Sequence, residues 1–237
     1  MRVTTVFDRI GLRTLQAALL ALAVGSAVAQ TAAPQAPRPL VLVLQPGPFV
    51  QTDQREQPGG VVDVTLTIPD AQAAADTPLL QIPYAVDDVE TVALTLKELT
   101  VRDSHGNVPL ATRDVKGADG KLRVWTSARE VNGDLVVHYQ APVDQAPVGK
   151  QPHKRAPVPP LPPRSLRAEG GGFTGGGNLF LLLPFGARPA PVALRWDLSR
   201  LGEGASAASD FGDGDVTLPV GSPARLWSAM FSAAPVK

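Results

Sequence analysis

The stretch Val61-Val62-Asp63-Val64-Thr65-Leu66-Thr67-Ile68 (VVDVTLTI) decides the fold class. Val62, Val64, Leu66 and Ile68 alternate with Asp63, Thr65 and Thr67, a period of two that places one face in a core and the other in water. The pattern recurs at Val92, Leu94 and Leu96, at Leu135, Val137 and Tyr139, and at Val192, Leu194, Trp196 and Leu198. Leu179–Leu183 (LFLLL) is apolar throughout and predicts a central strand buried on both sides. Turn chemistry separates these runs. Asn132-Gly133 predicts a type I′ hairpin joining 129–131 to 135–139. Asp103–Asn107 predicts a turn between a strand at 99–102 and a short one near 108–110. The best helical stretch, Asp70–Asp76 with Asp70 as N-cap, spans a turn or two before Pro78. The expected fold is all-β, an antiparallel β-sandwich.

Composition narrows the function. The chain has 237 residues, 22 Lys+Arg against 22 Asp+Glu, 22 Gly and 24 Pro, with 44% hydrophobic residues. Gly plus Pro exceeds the average of roughly 12% but is not periodic, so the chain is loop-rich and globular rather than collagen-like. The absence of cysteine excludes disulfides, thiolate metal sites and a thiol nucleophile. Charge balance removes the electrostatic case for nucleic acid.

The N-terminus reads as an address. Arg2, Arg9 and Arg13 precede an uncharged run from Leu15 to Ala29 that ends in Ala27-Val28-Ala29. Its 15 residues fall short of the about 20 a membrane span needs. Residues 1–29 are therefore expected to be a signal peptide cleaved after Ala29, leaving a periplasmic or secreted product with no membrane attachment. That product starts at Gln30, carries 19 basic and 21 acidic residues, and has no cysteine for a lipid anchor. Residues 30–39 (QTAAPQAPRP) read as a flexible leader, and 40–237 as the β-sandwich domain. Within it, Pro142–Arg167 holds eight prolines and five basic residues, which no strand accommodates. A long loop on one sandwich is favoured over a linker between subdomains.

Local motifs carry little chemistry. Gly170-x-Gly172-x-x-Gly175 spells the dinucleotide fingerprint, but a proline-rich stretch precedes it and an apolar run follows, where nucleotide binding requires strand before and helix after. The glycines read as a flexible loop, or as close approach of backbone to a neighbouring surface. Asp210-Phe211-Gly212 lacks the companion kinase motifs. Asp210, Asp213 and Asp215 lack EF-hand spacing and read as solvated turn carboxylates, with a weak calcium site as the alternative. His105, His138 and His153 are the only imidazoles, and no two have metal-ligand spacing. No Gly-x-Ser-x-Gly occurs, and Pro159–Arg164 reads as a stiff basic loop. No catalytic, cofactor-binding or metal-binding residue emerges.

One set of segments, in order, does resemble a known family. It comprises LLQIPYAVDDVETVA (Leu79–Ala93), LTVRDSHGNVPL (Leu99–Leu110), AREVNGDLVVHYQAPVD (Ala128–Asp144), LRAEGGGF (Leu166–Phe173) with GGGNLFLLLP (Gly175–Pro184), LRWDLSRLGEGA (Leu194–Ala205) and DFGDGDVTLPVG (Asp210–Gly221). Together they look like the N-terminal β-domain of exported bacterial M61-type metallopeptidases, the glycyl aminopeptidase family. The resemblance implies an all-β domain packed, in cis or in trans, against a catalytic domain that carries HExxH and a third zinc ligand. None of those catalytic positions occurs in these 237 residues. The expectation is a non-enzymatic domain, with Gly170, Gly171, Gly172, Phe173, Asp210, Asp213 and Asp215 on interdomain or cleft-facing loops. The alternative is an independent periplasmic module that binds peptide or carbohydrate through its loops or edge strands.

Overall fold

Alternating burial in Leu40, Leu42 and Leu44 sets the first strand, β1 (Leu40–Pro46), with its leucines inward. In this computed structural model, residues 36–49, 59–87, 89–117, 120–145 and 166–236 are described. The signal peptide, residues 30–35 of the leader, and 146–165 of the proline-rich stretch with His153 lie outside them. β2 (Gly60–Ala73) runs antiparallel to β1, Leu42 opposite Leu66 and Leu44 opposite Val64, so the apolar faces of both strands coincide. β3 (Pro78–Pro83) opens a second sheet, and β4 (Ala85–Val86) with β5 (Val89–Glu90) makes a short ribbon. Two hairpins follow, β6 (Lys97–Asp103) with β7 (Gly106–Asn107), and β8 (Leu110–Gly117) with β9 (Gly120–Ser127). β10 (Val131–Gln145) is the longest strand.

The proline-rich stretch is not free of strand at its ends: Pro142–Gln145 belong to β10, where Pro142 lies opposite Val61, and Arg167 opens β11 (Arg167–Glu169). After it come β12 (Gly172–Gly176), the single helical turn α1 (Gly177–Phe180) and β13 (Leu183–Pro184). β14 (Ala190–Trp196) leads through a 3-10 turn at Ser199–Leu201 to β15 (Ser206–Ser209), β16 (Gly212–Asp213) and β17 (Val216–Gly221). A last helical turn, α2 (Arg225–Ser228), precedes β18 (Met230–Ala234).

The large sheet is built on β10. One edge of β10 takes β2, and the other takes β6 and then, at Asp144–Gln145, β11. The sheet continues from β2 through β1 and β14 to β17, and from β11 through β12, β18 and β15 to β16. The second sheet has the order β13-β3-β9-β8. Pairing is antiparallel except for β1–β14 and β10–β11. One hydrophobic cluster joins Leu44, Leu66 and Val137 of the large sheet to Leu80, Ile82 and Trp125 of the smaller one. The all-β expectation holds.

Several local expectations do not. Leu179–Leu183 is buried as expected, but it is no strand. Leu181 N–H bonds Gly177 O at 2.8 Å and closes a helical turn, and only Leu183 pairs, with Gln81. A short apolar run buried on every side carries no period that separates the two states. Asn132-Gly133 is not a hairpin either. Val131 opposite Ala73 and Leu135 opposite Ile68 keep both flanks on the same partner. Between Gly133 and Leu135 the register shifts, and the extra residue of the β-bulge lies in β2, between Ile68 and Ala71, where Asp70 has a positive φ (+50°) opposite the positive φ of Gly133 (+87°). Pairing with β10 also overrides the helical tendency of residues 70–73, which belong to β2. Val92–Thr95 forms a turn in which Leu96 N–H bonds Val92 O at 2.8 Å, leaving Leu94 exposed. The turn between β6 and β7 lies where the sequence places it, at Ser104-His105.

Candidate functional site

The glycine-rich and aspartate-rich stretches, forty residues apart, meet across β18. β12 pairs with one edge of β18, Phe173 opposite Ala233, and β15 with the other, Ala207 opposite Ala233. Between the β11–β12 and β15–β16 hairpins lies a depression of about 510 Å3 lined by Glu169, Phe173, Thr174, Ser206, Asp213 and Ser232 among others. Two of the residues singled out from sequence, Phe173 and Asp213, thus border one feature.

The glycines have a local reason. Gly170 and Gly171 occupy the two-residue turn between Glu169 and Gly172, both at positive φ (+62° and +84°), as a type I′ hairpin requires. A Cβ on Gly172 would stand 1.9 Å from Ala233 O, so close approach of backbone is real, but the neighbour is this domain's own strand β18. Phe173 sits in β12 with its ring inside the core, 2% exposed. It packs within 6.0–6.3 Å, centroid to centroid, of Phe49, Phe180 and Trp196. Such aromatic packing anchors the hairpin to the core.

The carboxylates divide by task. Asp210 accepts Met230 N–H at 2.9 Å, and Asp215 accepts Trp196 N–H at 2.8 Å with Arg195 Nε 3.6 Å from its other oxygen. Both therefore satisfy backbone donors at strand ends. Asp213 is exposed at the depression, and Glu169 there pairs with Arg167 at 3.3 Å. Among the described residues, no three His, Asp or Glu side chains are grouped to hold a metal. With hydroxyls and carboxylates but no imidazole, the depression has hydrogen-bonding capacity and lacks a nucleophile–base pair.

Sequence reasoning missed two polar anchors. Asp103 is enclosed, and its oxygens accept both Nη atoms of Arg129 at 2.8 Å, plus the N–H groups of His105 and Asn132 at 2.8 and 3.1 Å. The Arg129 hydrogen bonds hold its carboxyl far below the usual carboxylate range, against an opposing desolvation. On the outer face of the large sheet, buried Asp63 pairs with Arg200. His138 Nε2 lies 3.8 Å from Asp63, and His138 Nδ1 lies 3.3 Å from Thr65 Oγ1. His138 is half-buried beside Asp63, and His105 is exposed on its turn. Neither anchor has a signal in a single sequence, because its members lie far apart in the chain, 26 residues for Asp103 and Arg129 and 137 for Asp63 and Arg200.

No family model matches this chain, and no curated protein matches it either. Solved structures do align with it. An aminopeptidase N family protein from Idiomarina loihiensis aligns with a TM-score of 0.52 at 14% identity, over 82% of this chain and 29% of that one. An M1 zinc metallopeptidase from Deinococcus radiodurans, bound to a Tyr-Ser-Ala substrate, aligns at 0.41 and 16% identity, over 85% of this chain and 43% of that one. The chain therefore has the fold of one part, about 29% by length, of an aminopeptidase N family protein.

Proposed function

We propose that this chain is a non-catalytic, exported β-domain that packs against a zinc peptidase domain and forms one wall of its substrate cleft. The observation that carries this reading is the shared fold with the aminopeptidase N family protein, at a TM-score of 0.52 over 82% of the chain. Within the zinc aminopeptidases, assignment to the M61 type rests on the blocks Leu166–Pro184 and Leu194–Gly221. The hairpins carrying Gly170, Gly171, Asp210 and Asp213 are the proposed contacts, since loops on a rigid β-scaffold commonly hold them. Phe173 supports the first hairpin from beneath.

Size-exclusion chromatography of the chain mixed with a separately produced M61-type catalytic domain tests the partnership. A one-to-one complex, weakened by Asp213→Arg, is the expected outcome. Independent migration of the two would overturn it, as would zinc-dependent aminopeptidase turnover by the chain alone. Export is tested separately, by N-terminal sequencing of the product from a Gram-negative host. Gln30 is expected as the first residue, and an intact Met1 would refute processing.

A further inference from the structure

The two sheets leave an opening where β1 begins. β1 covers β2 from Val41, opposite Thr67, onward. The remainder of β2, residues 69–73, has β10 on one edge and, among the described residues, no strand on the other. A groove of about 400 Å3 lies here, and residues 68–73 line it without a break. The β-bulge at Asp70 breaks the alternation of β2 here, so consecutive residues reach the groove, and Leu135 of β10 lines it as well.

The groove has an apolar bed and one unbalanced charge. Leu79 and Leu135 are buried in it, Ile68 is partly buried, and Phe185 stands 42% exposed on the opposite wall. The acid at the rim, Asp70, already lies 3.4 Å from Arg38, and its own N–H bonds Asp134. Arg188 also lines the groove, is exposed, and has no ion pair or hydrogen bond among the described residues. The open edge is five residues long, about 16 Å at strand rise, the length of an ordinary short strand.

We propose that this groove takes the C-terminal end of an extended apolar peptide as an added strand on β2, with the peptide's terminal carboxylate on Arg188. Backbone groups of residues 71–73, with the carbonyls of Pro69 and Asp70, supply the pairing, the bed of Ile68, Leu79, Leu135 and Phe185 takes alternate side chains, and the guanidinium selects a free carboxylate. The site goes beyond docking of a peptidase domain and does not depend on it. Association with that domain is read with the unmodified chain, so either result stands without the other.

Fluorescence anisotropy on the full chain tests it, with N-terminally fluorescein-labelled Thr-Val-Thr-Val-Leu as free acid, as C-terminal amide, and as a backbone N-methylated acid. Saturable binding of the free acid is expected, at least five-fold weaker for the amide and absent for the N-methylated form. Arg188→Gln should weaken the acid at least five-fold and abolish the difference between acid and amide. The proposal is overturned by no saturable binding up to millimolar chain, by equal binding of acid and amide, or by N-methylated peptide binding as well as its parent. A concentration-dependent dimer that Arg188→Gln dissolves, in place of probe binding, would assign the groove to a second copy and equally overturn it. Competition for the groove by the chain's own residues 30–39, added as a free peptide and tighter than the probe, would do the same.

Discussion

Tyr139 is the residue on which the two apolar layers meet most directly. It is fully buried on β10, donates its hydroxyl to Phe180 O at 2.9 Å and accepts Leu182 N–H at 2.9 Å. Burial pushes the phenol well above its ordinary range, against a smaller opposing pull from Leu182 N–H, so the hydroxyl stays protonated and able to donate. Two backbone groups at the exit of α1 thus depend on one side chain. Tyr139→Phe leaves both buried and unpaired, and urea denaturation should show a loss of about 1–3 kcal/mol. No change in midpoint would mean that other groups satisfy Phe180 and Leu182. Gly172→Ala is the steric counterpart. Its Cβ meets Ala233 O at 1.9 Å, so β12 and β18 must separate, with a cost of at least about 1–3 kcal/mol by the same measurement. The alternation in VVDVTLTI was legible because a strand's two faces differ in burial, although Asp63 on the outer face is buried against Arg200. The partners of Tyr139 and Gly172 lie 41 and 61 residues away, and no local pattern marks them.

At the scale of elements, the hairpins are held at their ends by carboxylates. Asp103 ties the β6–β7 turn to Arg129 and to the start of β10, and Asp114 ties β8 to Arg123 and Lys121 of β9. Hydrogen bonds from Arg123 and then Lys121 lower the Asp114 carboxyl from 3.8 to about 2, and those from Arg129 lower Asp103 further. Both carboxylates ionise more readily folded than unfolded, so their contribution is complete above the unfolded value of 3.8 and is lost as pH falls through the folded values. Thermal midpoints should therefore drop steeply between about pH 4 and pH 2. In Asp103→Asn the midpoint should be lower at pH 7 and its decline with acid shallower. Parallel pH profiles for the two proteins would remove Asp103 from this role. The same scale shows where element assignment from sequence fails. Asn132-Gly133 has the composition of a hairpin turn, yet β2 offers pairing partners on both sides of it, so β10 continues straight and β2 bulges opposite it.

In the whole molecule, one cluster of buried side chains spans both sheets, from Leu44 and Val137 to Ile82 and Trp125. The compact unit Pro37–Lys237 is therefore expected to unfold in a single transition. Tryptophan fluorescence, with Trp125 in the small sheet and Trp196 in the large one, should coincide with far-ultraviolet circular dichroism. Separated transitions would show that the sheets melt independently. Period-two alternation, turn chemistry and the lack of any long amphipathic stretch determined the all-β class from sequence alone, because burial on one face of a strand is a local requirement. The order of strands, the joining of the glycine and aspartate hairpins across β18, the Asp103–Arg129 anchor and the groove beside β2 were decided only by tertiary structure. Each depends on which distant strands pair, and that choice is made by the fit of whole faces and edges rather than by the residues next to one another in the chain.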